Sequence, residues 1–195
     1  MKVEYRDRYE LGPARGMTLV ELLVVIAIAA MLMGIAAPSF QQTFSETRVA
    51  TRANELVSAL AMARSEAIRR NIRVTLCKTA DISATPLACD EHASWNQGWI
   101  LFVDNVHVAG NGVGVIDGPD TPLRVFPIDS GTTLEGGLNY AAGISYLPSG
   151  VSRGIKTGGV AGLANGSFAL CGGAKGRKII INTAGRARTE ALACD

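Results

Sequence analysis

An apolar run near the N-terminus constrains this chain more than any other feature of its sequence. From Met17 to Ala37 the residues are apolar enough to cross a bilayer, except that Glu21 lies in the first turn. A carboxylate inside a membrane span is costly, by about 2.5–3.5 kcal/mol at a helix centre and by less near an end. The run therefore predicts a membrane helix in which the one acidic residue has a specific purpose.

Residues 1–16 form a polar leader with four basic side chains, and the small residue Gly16 precedes the apolar run. A secretory signal has the opposite order, a short apolar core followed by a small-residue cleavage site. Cleavage after Gly16 would remove the leader and keep the helix. The basic leader predicts a cytoplasmic N-terminus, with the rest of the chain outside. The alternative is an uncleaved single-pass anchor, which leaves Glu21 unexplained.

Cleavage would also give Met17 a new amino group, four residues from Glu21. A carboxylate at a helix start faces the positive end of the helix dipole, and in a low dielectric it is tolerated when a cation reaches it. That cation can belong to the same chain or to a neighbour packed one step along an assembly. Glu21 is therefore predicted to set the register between neighbouring helices.

The segment Arg15–Phe40, RGMTLVELLVVIAIAAMLMGIAAPSF, resembles the processing and assembly segment of type IV pilins and of the pseudopilins of type II secretion. The resemblance implies cleavage after Gly16 by a prepilin peptidase, N-methylation of Met17, and use of the Glu21 charge in methylation and filament docking. Pro38 falls where these proteins place a helix-bending proline.

Helical periodicity continues after Pro38. Small or apolar residues recur every three or four positions and predict one buried helix face: Val49, Ala53, Leu56, Leu60, Ala63 and Ala67. Charged residues off this face predict a second, solvated face of the helix: Arg48, Arg52, Arg64, Glu66, Arg69 and Arg70. The hydrophobic segment 17–40 and the amphipathic segment 41–71 together predict one helix with a kink at Pro38.

Six runs with strand character follow the helix, separated by clusters of Gly, Pro, Asn and Asp: 73–78, 98–104, 123–128, 143–148, 167–171 and 177–182. One helix followed by many short strands predicts an α+β protein with an antiparallel, β-rich head over residues 72–195.

Local phrases of this head resemble the GspH/FimT family of minor pilins: TLCK, WNQGWILFVD, YLPSGVS, SFALC and RKIIINTAGRAR. The resemblance implies a type IV pilin-like fold in which the long helix packs on the head. The loop at 105–122 is longer and richer in Gly than the short acidic turn expected of relatives, so its role stays open.

The four cysteines form an even set in a chain predicted to leave the cytoplasm, so disulfides are the default expectation. Three connectivities are possible, and proximity in sequence favours Cys77–Cys89 and Cys171–Cys194. The alternative is a zinc site made by Cys77, Cys89 and His92, although no CxxC pair supports it.

The sequence contains neither an HExxH motif nor a Walker loop. Asp104, Asn105, Asp117 and Asp120 could offer oxygen ligands to calcium, but their spacing matches no EF-hand loop. We therefore predict a protein that is not an enzyme and has no cofactor and no metal. A membrane-anchored periplasmic hydrolase is the alternative.

The C-terminal segment 171–195 has a local excess of positive charge, although the net charge of the whole chain is only +2. Gly185 permits a tight turn, and an extended segment after it would project Arg186 and Arg188 from one side as a phosphate clamp. GRAR, residues 185–188, resembles the GRxR motif of DNA-binding FimT-type minor pilins of natural transformation. The resemblance implies non-specific contact with double-stranded DNA, with Lys178 nearby. Basic residues that are merely solvated are the alternative.

These features together predict a minor pilin of the type IV pilus, with other major and minor pilins as partners. The protein is expected first in the bacterial inner membrane, with its head in the periplasm, and then in the pilus. The alternative is the H-type minor pseudopilin of a type II secretion system, which the N-terminal motif does not exclude.

Overall fold

A long helix opens the fold and a series of antiparallel strands follows it. The computed structural model describes residues 16–106, 112–127 and 131–194, without the side chains of 35–40. Within these residues the helix is α1 (Leu19–Arg70), and the strands are β1 (Arg73–Lys78), β2 (Trp99–Asp104), β3 (Thr121–Phe126), β4 (Thr133–Gly136), β5 (Gly143–Tyr146), β6 (Ser152–Ile155), β7 (Gly166–Gly172), β8 (Lys175–Ile181) and β9 (Ala187–Ala193). Short 3-10 turns occupy Leu138–Tyr140 and Thr157–Gly159.

The chain forms two compact units, residues 1–41 and residues 42–195. In the first unit, the described side chains of α1 are almost all exposed. Across the described part of the chain, the structure contains no helix with the length and apolarity needed to span a membrane.

The second unit is built on two antiparallel sheets. One has five strands in the order β3-β2-β1-β5-β6, and the other has four in the order β4-β7-β8-β9. The six predicted strand runs correspond to β1, β2, β3, β5, β7 and β8, with ends that differ by a few residues. Strands β4, β6 and β9 were not predicted from the sequence. As an edge strand, β9 is bonded to β8 alone among the described strands.

The core joins the predicted helix face to both sheets. All six predicted face residues are buried, and they pack in one cluster with Trp99, Phe126, Tyr140 and Phe168. Alanine lets the helix backbone approach the sheets closely: Ala53, Ala63 and Ala67 are at most 1% exposed. Among the described residues, every buried hydrophobic side chain lies at or after Val49. The unit 42–195 therefore contains its own core.

The prediction of a solvated charged face is wrong for two arginines of α1. Arg52 is only 8% exposed; its guanidinium lies 4.8 Å from the centre of a Trp99 ring and donates a hydrogen bond to the Pro127 carbonyl at 2.5 Å. Arg64 is half-buried, and its Nε donates to the Gly150 carbonyl at 3.0 Å. Both acceptors lie far along the chain, so helix periodicity alone gives no sign of them.

Candidate functional site

The predicted processing site, Gly16–Met17, comes immediately before a capped helix start. The Glu21 N–H donates to Thr18 Oγ1 at 3.2 Å, while the Thr18 N–H and hydroxyl donate to Glu21 Oε2 at 3.0 and 3.1 Å. This reciprocal arrangement is a capping box, which satisfies N–H groups that the first helical turn leaves unpaired. This capping role was not predicted, although the T-x-x-E spacing at 18–21 is its known signature. Pro38 lies within α1, and its side chain is outside the described residues.

The predicted DNA-binding motif forms the connection between β8 and β9. The Gly185 N–H donates to the Asn182 carbonyl at 2.9 Å, and the Arg186 N–H donates to Asn182 Oδ1 at 2.9 Å. Gly185 is buried, with a φ of 75°, and a Cβ there would lie 2.4 Å from the Gly150 carbonyl oxygen. Because Gly185 has no side chain, this connection can pack closely against the turn before β6.

The two arginines of the motif make different contacts. Arg188 lies on β9, and its guanidinium pairs with Glu190 Oε1 at 3.0 Å. Lys178 faces Glu190 across the β8–β9 ladder, so Lys178, Arg188 and Glu190 share one face of the sheet. Arg186 comes before β9 and is one of the residues that line a groove beside α1. All three cationic side chains are exposed.

That groove has a volume of about 430 Å³ and lies between α1 and the β8–β9 connection. Its walls include Leu60, Arg64 and Ile68 of α1, together with Tyr146 of β5 and residues 185–187. Tyr146 is fully buried, and its hydroxyl has no hydrogen-bond partner in the described structure. Burial raises the pKa of Tyr146, so the hydroxyl remains protonated in the physiological range.

One disulfide fixes the C-terminal end of this sheet. Cys171 of β7 is bonded to Cys194, just past β9, with their Cα atoms 6.0 Å apart. The bond crosses the intervening strand at Gly176, where a Cβ would lie 2.5 Å from the sulfur of Cys194. Only a residue without a side chain fits beneath the bridge.

The second disulfide joins Cys77 to Cys89, with Cα atoms 5.7 Å apart. Both pairings favoured by sequence proximity are thus confirmed. The zinc alternative is excluded because two of its three ligands are consumed in this bond, and the side chain of His92 is 81% exposed. Cys77 packs with Ile100 and Phe102 in a second apolar cluster.

The four residues considered as calcium ligands form hydrogen bonds within the protein instead. Asp104 is buried, accepts a hydrogen bond from the Thr75 hydroxyl at 2.6 Å, and has a pKa raised chiefly by burial. Asp120 accepts the N–H groups of Asn105 at 2.7 Å and Asp117 at 3.2 Å. Among the residues that the structure describes, no group of three or more metal-ligating side chains could hold an ion. Positions 107–111 of the unusual loop are outside them.

The head matches one family model over most of its length. The model described as type II transport protein GspH matches residues 52–185, more than half of the chain. The chain belongs to the GspH family. A second model, described as the prokaryotic N-terminal methylation motif, matches residues 13–37. A GspH protein with this motif is a pilin-like subunit, either a minor pilin or a pseudopilin.

Two solved structures of the type IV minor pilin FimU from Pseudomonas aeruginosa strain PAO1 are similar to this GspH protein. The P21 crystal form is 20% identical with a TM-score of 0.51, and the match covers 77% of this chain and 97% of the FimU chain. The P65 form is 21% identical with a TM-score of 0.48, covering 74% and 98%. The first likeness confirms the predicted type IV pilin fold. No curated protein matches the chain in sequence.

The matched ranges divide the predicted site residues of this GspH protein into two groups. The methylation motif includes Gly16, Met17 and Glu21 and ends before Pro38. The GspH match ends at residue 185, so Arg186 and the residues after it lie beyond it. The processing residues therefore fall within a matched motif, whereas the two arginines do not.

Proposed function

We propose that this chain is a minor subunit of a type IV pilus, cleaved after Gly16 by a prepilin peptidase and N-methylated on Met17. The observation that carries the proposal is the methylation-motif match over residues 13–37, which includes both residues and Glu21. The protein acts by assembling with other major and minor pilins and not by catalysis. Turnover of a substrate by the purified head would contradict this part of the proposal.

Before assembly, the apolar run from Met17 to Ala37 holds the precursor in the inner membrane, with the head in the periplasm. The hydropathy of that run and the basic leader support this topology. In the filament, the Glu21 carboxylate pairs with the amino group of a neighbouring subunit and sets the stagger. A charge pair in a low dielectric discriminates strongly between correct and shifted registers, because a shifted register leaves the carboxylate unpaired.

Mass spectrometry of the protein from cells tests the processing. We expect a mature chain that begins at methylated Met17, and an intact leader would contradict the proposal. Incorporation into sheared pili tests the role of Glu21. Glu21→Ala should lose incorporation, while Thr18→Ala, which removes the cap but keeps the charge, should lose much less. Equal losses would reduce Glu21 to a capping residue.

A pseudopilin of type II secretion is the second candidate, favoured by the description of the matching family, type II transport protein GspH. Deletion of the gene separates the two systems. Loss of surface pili with normal export of secreted proteins supports the pilus assignment. Normal pili together with exoproteins retained in the periplasm would assign the protein to the secretion system.

We further propose that Arg186, Arg188 and Lys178 bind double-stranded DNA without sequence specificity. All three side chains are exposed, Arg186 and Arg188 at the β8–β9 connection and Lys178 in the middle of β8. The GRAR segment also resembles the motif of DNA-binding minor pilins. Contacts of this kind depend steeply on salt: three neutralised phosphates give a slope of about −3 in log affinity against log salt concentration.

The Glu190 carboxylate provides a sharp test, because it competes with phosphate for Arg188. We expect Arg186→Ala/Arg188→Ala to abolish binding of the 42–195 fragment to a duplex at low salt. Glu190→Gln should bind more tightly than the wild type, since it releases Arg188. An unchanged affinity in both variants would remove DNA from the function and leave the assembly role intact.

A further inference from the structure

The edge formed by β9 differs from the other edges of the two described sheets. Native proteins shorten their edge strands, bend them with bulges or interrupt them with proline, which stops other chains from pairing with them. β3 contains Pro122 and a register shift, β4 and β6 have only four residues each, and Ile155 of β6 also pairs with Ala161. β9 has seven residues without Gly or Pro, in unbroken register with β8, and five of them are exposed.

Hydrogen bonds at the two ends of the β8–β9 ladder show which backbone groups of β9 are unpaired. The Asn182 N–H donates to the Arg186 carbonyl, and the Cys194 N–H donates to the Ala174 carbonyl, both at 3.1 Å. Bonded and non-bonded pairs alternate along an antiparallel ladder, so residues 188, 190 and 192 bond to β8. The N–H and C=O groups of 187, 189 and 191 therefore point away from β8, and no hydrogen bond from elsewhere in the described chain reaches them.

The side chains of β9 restrict the sequence of a strand that could pair with this edge. Arg188 and Glu190 are exposed on one face of the sheet, two positions apart. Opposite charges that face each other across neighbouring strands attract, and like charges repel. An antiparallel strand therefore fits when it presents an acidic residue to Arg188 and a basic residue to Glu190. On the other face, Ala187 and Ala191 each line a groove against α1, of about 430 and 240 Å³, and these small side chains leave space for larger apolar residues.

We propose that β9 pairs with an extended, antiparallel strand of an adjoining pilin-type subunit, in which one apolar residue separates a basic residue from an acidic one. The added strand bonds to the outward backbone groups of β9, and its two charges face Glu190 and Arg188. The identity of the partner rests on the proposed function, whereas the unpaired edge and its charge pattern do not.

A second copy of this chain fits the edge less well than a different subunit does. Antiparallel self-pairing centred on Thr189 would place Arg188 opposite Glu190, so the charges alone permit it. The two-fold axis of such a pair stands perpendicular to the sheet and would reverse the direction of the part of α1 that packs on the head. Subunits anchored in one membrane need parallel helices, so the proposed function favours a different subunit.

Amide hydrogen exchange of the 42–195 fragment, followed by NMR, tests the proposal with a strand-like probe. The probe is acetyl-Thr-Val-Lys-Val-Glu-Val-Thr-amide, and the matched control is acetyl-Thr-Val-Glu-Val-Lys-Val-Thr-amide, which has its charges exchanged. At saturation, the probe should slow exchange of the outward amides at 187, 189 and 191 and leave those at 188, 190 and 192 unchanged. The control should bind about tenfold more weakly, because both cross-strand charge pairs become repulsive.

Two variants separate the edge from the rest of the fold. Thr189→Pro removes an outward N–H and no bond to β8, and proline is tolerated on the solvent side of an edge strand. It should melt like the wild type in circular dichroism and lose the probe, whereas Arg188→Pro removes a bond to β8 and should be less stable. The double variant Arg188→Glu/Glu190→Arg keeps every backbone group and should prefer the control peptide about tenfold.

Equal binding of the two peptides, or an unchanged preference in the double variant, would overturn the inference. Slow exchange at 187, 189 and 191 without peptide, together with sedimentation as a dimer, would also overturn it in favour of self-pairing. In cells, Thr189→Pro should be cleaved after Gly16 but enter sheared pili less than the wild type. Full incorporation would refute the docking edge and leave the proposed function intact, whereas an intact leader on the wild type would contradict the proposed function itself.

Discussion

Substitution of Gly185 in the GRAR segment measures how much the close packing of this connection contributes to the unfolding free energy. Gly185 has a φ of 75°, and a Cβ there would lie 2.4 Å from the carbonyl oxygen of Gly150 and 3.0 Å from Cε1 of Tyr146. Alanine at a left-handed position costs about 1–2 kcal/mol. Forcing an added methyl group into a closely packed contact costs about 1–3 kcal/mol more. Gly185→Ala should therefore lower the unfolding free energy by about 2–5 kcal/mol.

Gly158 supplies the matched control, because its backbone is nearly the same while its surroundings differ. Its φ is 76°, and among the described residues no atom beyond Gly158 and its two chain neighbours lies within 4 Å of the position that a Cβ would occupy. Gly158→Ala should therefore show the backbone cost alone, about 1–2 kcal/mol. The difference between the two variants isolates the contact with the Gly150 turn.

Urea unfolding of the 42–195 fragment, monitored by circular dichroism, measures both variants on one scale. Arg186→Gln is expected to change stability by no more than about 0.5 kcal/mol, because its side chain is exposed. If Gly185→Ala and Gly158→Ala differ by less than about 0.5 kcal/mol, the close contact relaxes without cost and the reasoning is refuted. If instead Gly185→Ala is the more destabilised variant, a loss of DNA binding in it reflects impaired folding and not the loss of a DNA contact.

Two further stability predictions concern a buried carboxyl group and a disulfide. Burial raises the pKa of Asp104 above its ordinary value, so this carboxyl binds a proton more tightly when folded, and its contribution to stability is lost as the pH rises through the folded pKa. Asp104→Asn should therefore gain stability relative to the wild type between pH 4 and pH 7 in urea titrations, with exposed Asp81→Asn as the control; a constant difference would contradict this. Replacement of Cys171 and Cys194 by Ala should lower the unfolding free energy by about 3 kcal/mol, because the bond closes a loop with a sequence separation of 23. A loss below about 1 kcal/mol, measured in the same way, would show that the reduced chain keeps this loop closed by other contacts.

The sequence predicted those parts of the fold in which burial follows a simple period. The helix face from Val49 to Ala67 was correct at all six positions because a helix packed on a sheet repeats its buried residues every three or four positions. Strands that consist of continuous apolar runs, such as β2, were also predicted, because such a run is itself a local signal of a buried strand. β9 was missed because five of its seven residues are exposed, so its sequence has no strand period. Its place is determined by pairing with β8, which local patterns do not encode.

The candidate site was predictable in composition but not in arrangement. The turn at Gly185 was predicted and is observed. The different surroundings of Arg186 and Arg188, however, come from Glu190 and from α1, about 120 positions earlier in the case of Arg64. The groove itself requires three distant segments to meet. In the sequence, Tyr146 is an ordinary strand residue. Only the structure shows that its hydroxyl is buried and has no hydrogen-bond partner among the described residues.

The capping role of Glu21 and its proposed role in assembly are compatible, because they use different oxygens. Both bonds from Thr18 end on Oε2, and among the described residues Oε1 accepts no hydrogen bond. Cleavage after Gly16 converts the Met17 amide into an ammonium group but leaves the N–H and hydroxyl of Thr18 unchanged, so the cap persists in the mature chain. A carboxylate held by its cap loses little conformational freedom when an amine binds the second oxygen. Under the proposed assembly role, the cap prepares Glu21 for the neighbouring subunit, and Thr18→Ala should therefore weaken incorporation without abolishing it.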